Sequence, residues 1–234
     1  MIIMNWETQQ KPADLAESRL IVAILDGHFP IGDTLPAERE LATQLGVTRP
    51  TLREVLQRMA RDGWIEIRHG RPTRVRNYWQ EGKLGVLSAI AHYPEHAPTD
   101  FVNNLLVIRL LMAPEYTRQA VASSPGEVVG ILRGMTTLDE NPAAFALADW
   151  NLQYQLTVLS GNPIFTLILN GFEELYQKMA IVYFSSQASR DHSKAFYGHL
   201  LDVAQDEDHG EAERLTRKTM TDSMDLWRRA TVDR

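Results

Sequence analysis

The sequence predicts a mainly α-helical protein with one small β-hairpin, arranged as a short amino-terminal module and a larger carboxy-terminal bundle. Two observations support this fold class. Apolar residues recur at intervals of three and four along most of the chain, which is the spacing of one buried helix face. The clearest change to an alternating, strand-like pattern is at residues 64–68. With 234 residues, the chain is long enough for two hydrophobic cores.

The amino-terminal module begins with three predicted helices. The first runs from Pro12 to about Asp26, and the second follows Pro36 and stops at Gly46. Thr48 is a suitable N-cap for the third helix, because its side-chain oxygen can accept a hydrogen bond from a free amide of the first turn. The buried stripe of the third helix is predicted to be Leu52, Val55, Leu56 and Met59.

A hairpin and a linker follow the third helix. Residues 64–68 and 73–77 predict the two strands, joined by a basic turn. Residues 77–83 are polar and aromatic and predict a linker. The predicted organisation is therefore an amino-terminal domain over residues 1–76, this linker, and an all-helical domain over residues 84–234.

The sequence of the carboxy-terminal domain predicts helices separated by the helix-breaking residues Pro, Gly, Asn and Ser. Because helices joined by short loops lie antiparallel, the sequence predicts an antiparallel bundle of about six or seven helices. The predicted helical segments are residues 101–122, 127–135, 142–160, 163–184, 189–205 and 210–229.

The composition excludes several classes of function. Cysteine is absent, so there is no disulfide framework, thiolate metal site, iron–sulfur cluster or cysteine nucleophile. Residues 1–11 lack the apolar stretch of a secretory signal, and no run of about 18 apolar residues occurs. We therefore expect a cytoplasmic protein that does not span a membrane.

The net charge of −6 hides an asymmetry along the chain. Residues 1–80 contain 11 basic against 10 acidic residues, whereas residues 81–234 contain 13 against 20. Between Arg39 and Arg76 alone there are nine arginines and four acidic residues. A basic segment joined to an acidic domain is typical of a nucleic-acid-binding module attached to another function.

Three helices followed by a hairpin, with arginines beside the buried stripe of the third helix, predict a winged helix-turn-helix. Such a fold inserts one helix into the major groove, where arginine recognises guanine and short hydroxyl side chains contact phosphates. The alternative is a solvated basic face used for protein contacts. The candidate DNA-binding residues are Arg39, Thr48, Arg49, Thr51, Arg53, His69, Gly70 and Arg71.

Three runs carry a resemblance to a known family. They are Pro36-Ala-Glu-Arg-Glu-Leu-Ala, Gly46-Val-Thr-Arg-Pro-Thr-Leu-Arg-Glu-Val-Leu-Gln-Arg-Met-Ala-Arg-Asp-Gly-Trp and Arg68-His-Gly-Arg-Pro-Thr. They resemble the GntR family of bacterial winged-helix regulators, and within it the regulators of fatty acid metabolism. The resemblance implies a homodimer on a palindromic DNA operator, with His69 and Gly70 in the minor groove. It also implies repression of degradation genes and activation of biosynthetic genes. Pro50 replaces a threonine of that group.

One branch of the same family binds a metal ion through a set of side chains that this sequence lacks. That branch uses an aspartate, a histidine four residues later and two further histidines. Asp149 matches the aspartate, but Gln153, Phe196 and Thr221 stand at the three histidine positions. The seven histidines show no other spacing suited to one metal ion, so we expect none.

The resemblance to the fatty-acid group continues through the bundle, in Asn104-Leu-Leu, Ser160-Gly-Asn-Pro-Ile and Leu167-Ile-Leu-Asn-Gly. It implies long-chain acyl-CoA as the effector and no cofactor. Thr219 and Met220 replace a tyrosine and a glycine of that group. The resemblance implies ligand contacts by Arg109, Tyr176, Tyr183, Tyr197, Ser223 and Trp227.

Two other interpretations of the bundle remain open. Tyr176 and Tyr183 are seven residues apart, a spacing that also suits plain core packing. The effector of such a regulator could instead be a small carboxylate or a sugar acid. A catalytic role is not expected, because the chain has no nucleophile elbow, phosphate-binding loop or zinc signature.

Overall fold

The computed structural model describes residues 11–68, 70–135, 138 and 140–232, without the side chains of residues 230–232. It confirms the predicted fold class: over these residues the chain is mainly helical with one two-stranded hairpin. The chain divides after Ala97 into two compact units. Among the described helices, none combines the length and the hydropathy that a membrane span requires.

Three helices open the first unit: α1 (Pro12–Leu25), α2 (Glu38–Leu45) and α3 (Arg49–Asp62). Gly46 ends α2 in the left-handed conformation, with a φ of 71° that suits glycine. Thr48 caps α3 as predicted, since its hydroxyl oxygen accepts a hydrogen bond from the Thr51 amide. The predicted stripe of α3 is buried.

The hairpin is shorter than the sequence predicts. Strands β1 (Ile65–Glu66) and β2 (Arg74–Val75) pair antiparallel, with Ile65 opposite Val75. Trp64 and Ile65 are both buried, whereas Ile67 is exposed. The apolar alternation of the sequence therefore extends to Ile67, which no core covers. Strand pairing ends one residue earlier, at Glu66.

The segment after the hairpin belongs to the first unit and contains α4 (Tyr78–Glu81), α5 (Leu84–His92) and a 3₁₀ turn at Pro94–His96. The predicted linker thus includes a helical turn, whose buried Tyr78 packs against Trp64 at 4.9 Å between ring centroids. Val86 and Ile90 of α5 are also buried, and α5 packs on α3. Because these side chains need a core, the first unit extends about twenty residues past the predicted boundary.

Seven helices in the described residues form the second unit, within the predicted number. They are α6 (Phe101–Ser123), α7 (Pro125–Gly134), α8 (Pro142–Leu159), α9 (Pro163–Asn170), α10 (Glu173–Phe184), α11 (Gln187–Gln205) and α12 (His209–Val232). Helix α12 packs along α6, α10 packs on α8, and α11 lies against α7 and α12. Phe145 and Phe184 are buried in the resulting core.

The predicted single helix over residues 163–184 is wrong, because Gly171 and Phe172 separate α9 from α10. Glycine is a poor helix former, and Phe172 leaves helical geometry with a φ of −119°. The apolar spacing of these residues also does not produce a buried face in α9, where Ile164 is 55% and Leu167 is 66% exposed. The break lets Phe172 turn into a cavity of the bundle.

Candidate functional site

The first unit presents an exposed surface on α2 and α3, which we call the reading face and define as Arg39, Thr48, Arg49, Thr51 and Arg53. Arg39 lies in the first turn of α2, and Arg49 is the first residue of α3. Both are exposed. In a helix-turn-helix, residues at the N-terminal end of the recognition helix are the ones that reach base edges.

The structure separates the nine arginines of this region into two groups. Within the described residues, Arg39, Arg49 and Arg71 form no side-chain hydrogen bond or ion pair. Each therefore keeps all five N–H donors available. The other six are engaged, namely Arg53 with Glu38, Arg58 with Asp14 and Glu17, Arg61 with Asp62, Arg68 with Glu66, Arg74 with the Gly32 carbonyl, and Arg76 with Glu81.

Two threonine hydroxyls complete the reading face. The oxygens of Thr48 and Thr51 are 2.8 Å apart and share one hydrogen bond. That bond uses one of the two hydroxyl protons, so one remains free for an acceptor outside the chain. Arg53 is partly engaged, because its Nε donates to Glu38 of α2 at 2.8 Å while its side chain stays 66% exposed.

The turn of the hairpin contains the predicted wing residues. Gly70 is exposed and has a φ of 69°, a left-handed conformation that glycine adopts without strain. Arg71 beside it is exposed. His69, the third predicted wing residue, lies outside the described residues.

The second unit contains a cavity of about 140 Å³, enclosed mainly by α6, α9, α10, α11 and α12. Apolar side chains such as Leu106, Met112 and Met179 provide most of its wall. The replaced positions Thr219 and Met220 also line it. Five of the six predicted ligand residues border the cavity: Arg109, Tyr176, Tyr183, Ser223 and Trp227.

Polar groups meet at one side of this cavity around the buried carboxylate of Asp149. Its Oδ1 accepts a hydrogen bond from the Tyr197 hydroxyl at 2.8 Å. Its Oδ2 accepts from the Tyr176 hydroxyl and, at 3.5 Å, from Arg109. Tyr197, the sixth predicted ligand residue, is thus buried beside Asp149 and is not among the described residues that line the cavity.

A second contact extends this group along α6, which carries Arg109 and Tyr116, and α8, which carries Asp149 and Gln153. The Tyr116 hydroxyl donates to Oε1 of Gln153 at 2.6 Å, and both side chains are buried. We call the whole set the polar cluster. It comprises Arg109, Tyr116, Asp149, Gln153, Tyr176 and Tyr197.

The electrostatics keep the tyrosines of the cluster protonated. Burial raises the pKa of Tyr176 and that of Tyr197 well above the ordinary tyrosine value, and the nearby Asp149 adds to both rises. Burial also raises the pKa of Tyr116, opposed by the positive charge of the Arg109 guanidinium. For Arg109, burial lowers the pKa, but attraction to Tyr176 and Asp149 outweighs this and leaves it above the ordinary value. The cluster therefore contains one positive and one negative charge.

A smaller polar contact lies elsewhere on the cavity wall. The Tyr183 hydroxyl donates to Ser223 Oγ at 3.3 Å, and Ser223 in turn donates to the Thr219 carbonyl at 2.8 Å. Burial raises the pKa of Tyr183. Tyr183 is therefore a neutral hydrogen-bonding group of the wall.

Sequence reasoning missed the contribution of Tyr116 and Gln153. The signal was available: Tyr116 follows Arg109 by two helical turns, and Gln153 follows Asp149 by one. Each pair therefore shares a helix face. No group of three His, Asp or Glu side chains in the described residues could bind a metal ion together.

Comparisons with known proteins agree for both units. Residues 12–75 match the family of bacterial regulatory proteins called gntR, and residues 76–233 match the FadR C-terminal domain. The fatty acid metabolism regulator protein of Shewanella frigidimarina is 41% identical over 95% of this chain and 93% of its own length. That of Klebsiella pneumoniae strain 342 is 40% identical over 94% of this chain and 92% of its own length.

A solved structure supports the fold. It is that of Lar, which controls the expression of the Listeria monocytogenes agr system, and it matches with a TM-score of 0.55 over 94% of this chain and 98% of its own length. Its 13% identity limits this likeness to the fold. The two family matches and the curated relatives together cover nearly the whole sequence. The chain therefore belongs to the GntR family of bacterial regulatory proteins, as a DNA-binding transcription regulator, not an enzyme, that carries the FadR C-terminal domain.

Proposed function

We propose that this protein is a homodimeric, cytoplasmic regulator of fatty acid metabolism genes that releases a palindromic DNA operator when long-chain acyl-CoA enters the cavity of the second unit. The observation that carries the proposal is the cavity itself, an apolar space whose one charged group, the Arg109–Asp149 pair, is already neutralised. The curated relatives named as fatty acid metabolism regulators support the same assignment.

The charge of the polar cluster favours an uncharged ligand group. Arg109 has its counterion in Asp149, and the tyrosines are protonated. An ionised carboxylate placed here would lack a free cation and would be repelled by Asp149. A thioester carbonyl needs only hydrogen-bond donors, and Arg109 has N–H groups besides the one that faces Asp149. This argument favours acyl-CoA over a small carboxylate or a sugar acid.

The size of the cavity indicates how the ligand would act. A space of about 140 Å³ is close to that of cavities that take one benzene-sized guest. A long acyl chain needs more room, so it must bind a more open arrangement of the bundle. Each buried methylene contributes about 0.8 kcal/mol, which can offset the cost of opening. A ligand that binds the open arrangement more tightly shifts the population towards it.

The reading face supplies the DNA-binding half of the proposal. Arg49 and Arg53 would contact base edges in the major groove, and Arg39 with Thr48 and Thr51 would contact the phosphate backbone. His69, Gly70 and Arg71 would place the wing in the adjacent minor groove. A dimer would present two such faces to two half-sites one helical turn apart, which accounts for a palindromic operator.

The test begins with an operator selected by the full-length protein from a random duplex library. Fluorescence anisotropy of that duplex is then measured while palmitoyl-CoA, palmitate, CoA, or small carboxylates and sugar acids with divalent metal ions are added. We expect release by palmitoyl-CoA alone and an inverted repeat in the selected sites. Release only by a carboxylate, or indifference to palmitoyl-CoA, would overturn the effector assignment.

A further inference from the structure

The cavity of the second unit has one side that solvent reaches. On that side, α6 and α9 contribute lining residues that are not fully buried, among them Leu105, Ile108, Ile168 and Leu169. Ile108 is 45% exposed. Because a ligand from solution must cross the side that is already open to water, an acyl chain would enter the cavity between α6 and α9.

The cavity is closed where α10, α11 and α12 meet. We call this part the closed end and define it as Phe184, Phe196 and Met220, which border the cavity, belong to one hydrophobic core and are at most 4% exposed. Helix α11 lies directly against α12 here, since His192 Nε2 is 3.4 Å from the Thr219 carbonyl oxygen. An alkyl chain that has crossed the cavity must therefore stop at the closed end.

The three residues of the closed end differ in how firmly they are held. Phe184 packs on Phe145 with ring centroids 5.3 Å apart, and Phe196 packs on Tyr197 at 5.9 Å. Such aromatic pairs stabilise the positions of both rings. Met220 has instead an unbranched side chain with three rotatable bonds, which adapts to irregular space. Met220 is therefore the residue whose side chain decides how much of the closed end is filled.

We infer that Met220 is a specificity-determining residue, whose side chain closes the cavity and sets the length of the acyl chain that binds most tightly. The ligand contacts implied by the family resemblance do not include Met220. The inference rests on the proposed function in taking acyl-CoA as the ligand. The closing of the cavity by Met220 is a property of the protein itself, and uncharged guest molecules measure it separately.

The variant that tests the inference is Met220→Ala in the full-length chain, because it removes Cγ, Sδ and Cε from the closed end. Calorimetry measures the binding of saturated acyl-CoAs from decanoyl-CoA to icosanoyl-CoA. The chain length bound most tightly should increase by about two carbons, with about a tenfold gain in affinity for that longer chain, since each buried methylene is worth about fourfold. Met220→Phe, which fills the closed end further, should shorten the preferred chain. An unchanged preference in both variants would overturn the inference.

Met135→Ala is the matched control. Met135 is 7% exposed in the same hydrophobic core and is not among the described residues that line the cavity. Both alanine variants should unfold at lower urea concentration than the wild type, because each loses buried groups. We expect Met135→Ala to keep the wild-type preference for chain length. A shift as large as that of Met220→Ala would show that any loosening of the bundle changes the preference, which would overturn the assignment to Met220.

Uncharged guests test the closed end without acyl-CoA. The cavity of about 140 Å³ is close in size to apolar cavities that bind benzene, so the probes are alkylbenzenes from benzene to hexylbenzene, with binding measured by calorimetry. In Met220→Ala, the longest alkyl group accepted should be about two carbons longer than in the wild type. If the wild type binds no acyl-CoA, the proposed effector is wrong, and this lengthening would still support the closing of the cavity by Met220. An unchanged limit for alkylbenzenes would overturn the inference whatever the natural ligand is.

Discussion

The two units place their charged groups in opposite ways. In the first, Arg39, Arg49 and Arg71 are exposed and have no partner within the described residues. In the second, the carboxylate of Asp149 is buried and bonded to Arg109 and to two tyrosine hydroxyls. An exposed, unpaired cation contributes little to stability and is free for an external partner, whereas a buried pair that loses one member leaves an uncompensated charge in the interior.

This difference predicts which measurement responds to each substitution. On the reading face, removing an arginine should change DNA binding and leave unfolding unchanged. In the polar cluster, removing one group should change unfolding first, because its former partners stay buried without a bond. Two results would contradict this difference between the units. One is a reading-face arginine that proves essential for folding, and the other is a polar cluster whose groups can be removed without loss of unfolding free energy.

The largest expected effect is that of Asp149→Ala. This change leaves the Arg109 charge without its counterion and the hydroxyls of Tyr176 and Tyr197 without an acceptor. Breaking a buried pair from one side costs about 3–5 kcal/mol of unfolding free energy. Urea unfolding of the full chain followed by tryptophan fluorescence measures it. Asp149→Asn, which keeps one acceptor oxygen, should lose less, and a loss below 1 kcal/mol for Asp149→Ala would contradict the role given to the cluster.

The next effect is on stability at high pH. Burial raises the pKa of Tyr116, Tyr176, Tyr183 and Tyr197 in the folded protein. Between the ordinary tyrosine pKa near 10 and these raised values, the unfolded chain loses protons that the folded chain keeps. Stability is therefore fully present below about pH 10 and falls as the pH rises above it.

Tyrosinate absorbance at 295 nm, recorded together with circular dichroism, tests this pH dependence. Part of the absorbance change should appear only when the helical signal is lost. Tyr183→Phe is a useful comparison, because it should reduce the delayed absorbance while the reading face is unaffected. Complete ionisation of all seven tyrosines in the folded state would contradict the burial of the cluster.

On the reading face, Arg49→Ala should weaken operator binding by about 1–3 kcal/mol and relax specificity at one base pair. The reason is that Arg49 has no side-chain partner among the described residues, so we expect it to gain its bonds on DNA. Anisotropy with the selected operator and its single-base variants measures both effects. Arg61→Ala on the same helix is the control, because Arg61 is paired with Asp62 in the last turn of α3, and its binding should stay within twofold of the wild type.

The sequence predicted local features better than long-range ones. The cap at Thr48 and the end of α2 at Gly46 follow from neighbouring residues, and both are confirmed. The free arginines did not follow, because bonds such as that of Arg58 to Glu17 join residues 41 positions apart. Similarly, the spacing of Tyr176 and Tyr183 suited either core or cavity, and only the packing of α6, α10 and α12 decided between them.

The break between α9 and α10 marks another limit of sequence reasoning. Residues 163–184 have a continuous apolar periodicity, and Gly171 alone did not outweigh it. In the folded protein no residue of α9 is fully buried, and only part of its apolar surface, such as Phe165, packs against the core. Periodicity records which residues share a face, but it does not say whether another element covers that face.

The smallest effect is expected at Thr48, the one reading-face residue that also caps a helix. Thr48→Ala should lower the stability of the first unit by about 1 kcal/mol, because the Thr51 amide loses its acceptor. Hydrogen exchange of the α3 amides in the full chain locates the loss to that unit. Thr48→Ser should restore both stability and operator affinity. If Thr48→Ala weakens operator binding without faster exchange in α3, the Thr48 hydroxyl contributes to DNA binding and not to helix stability. In that case every residue of the reading face would act in DNA binding without a measurable contribution to folding.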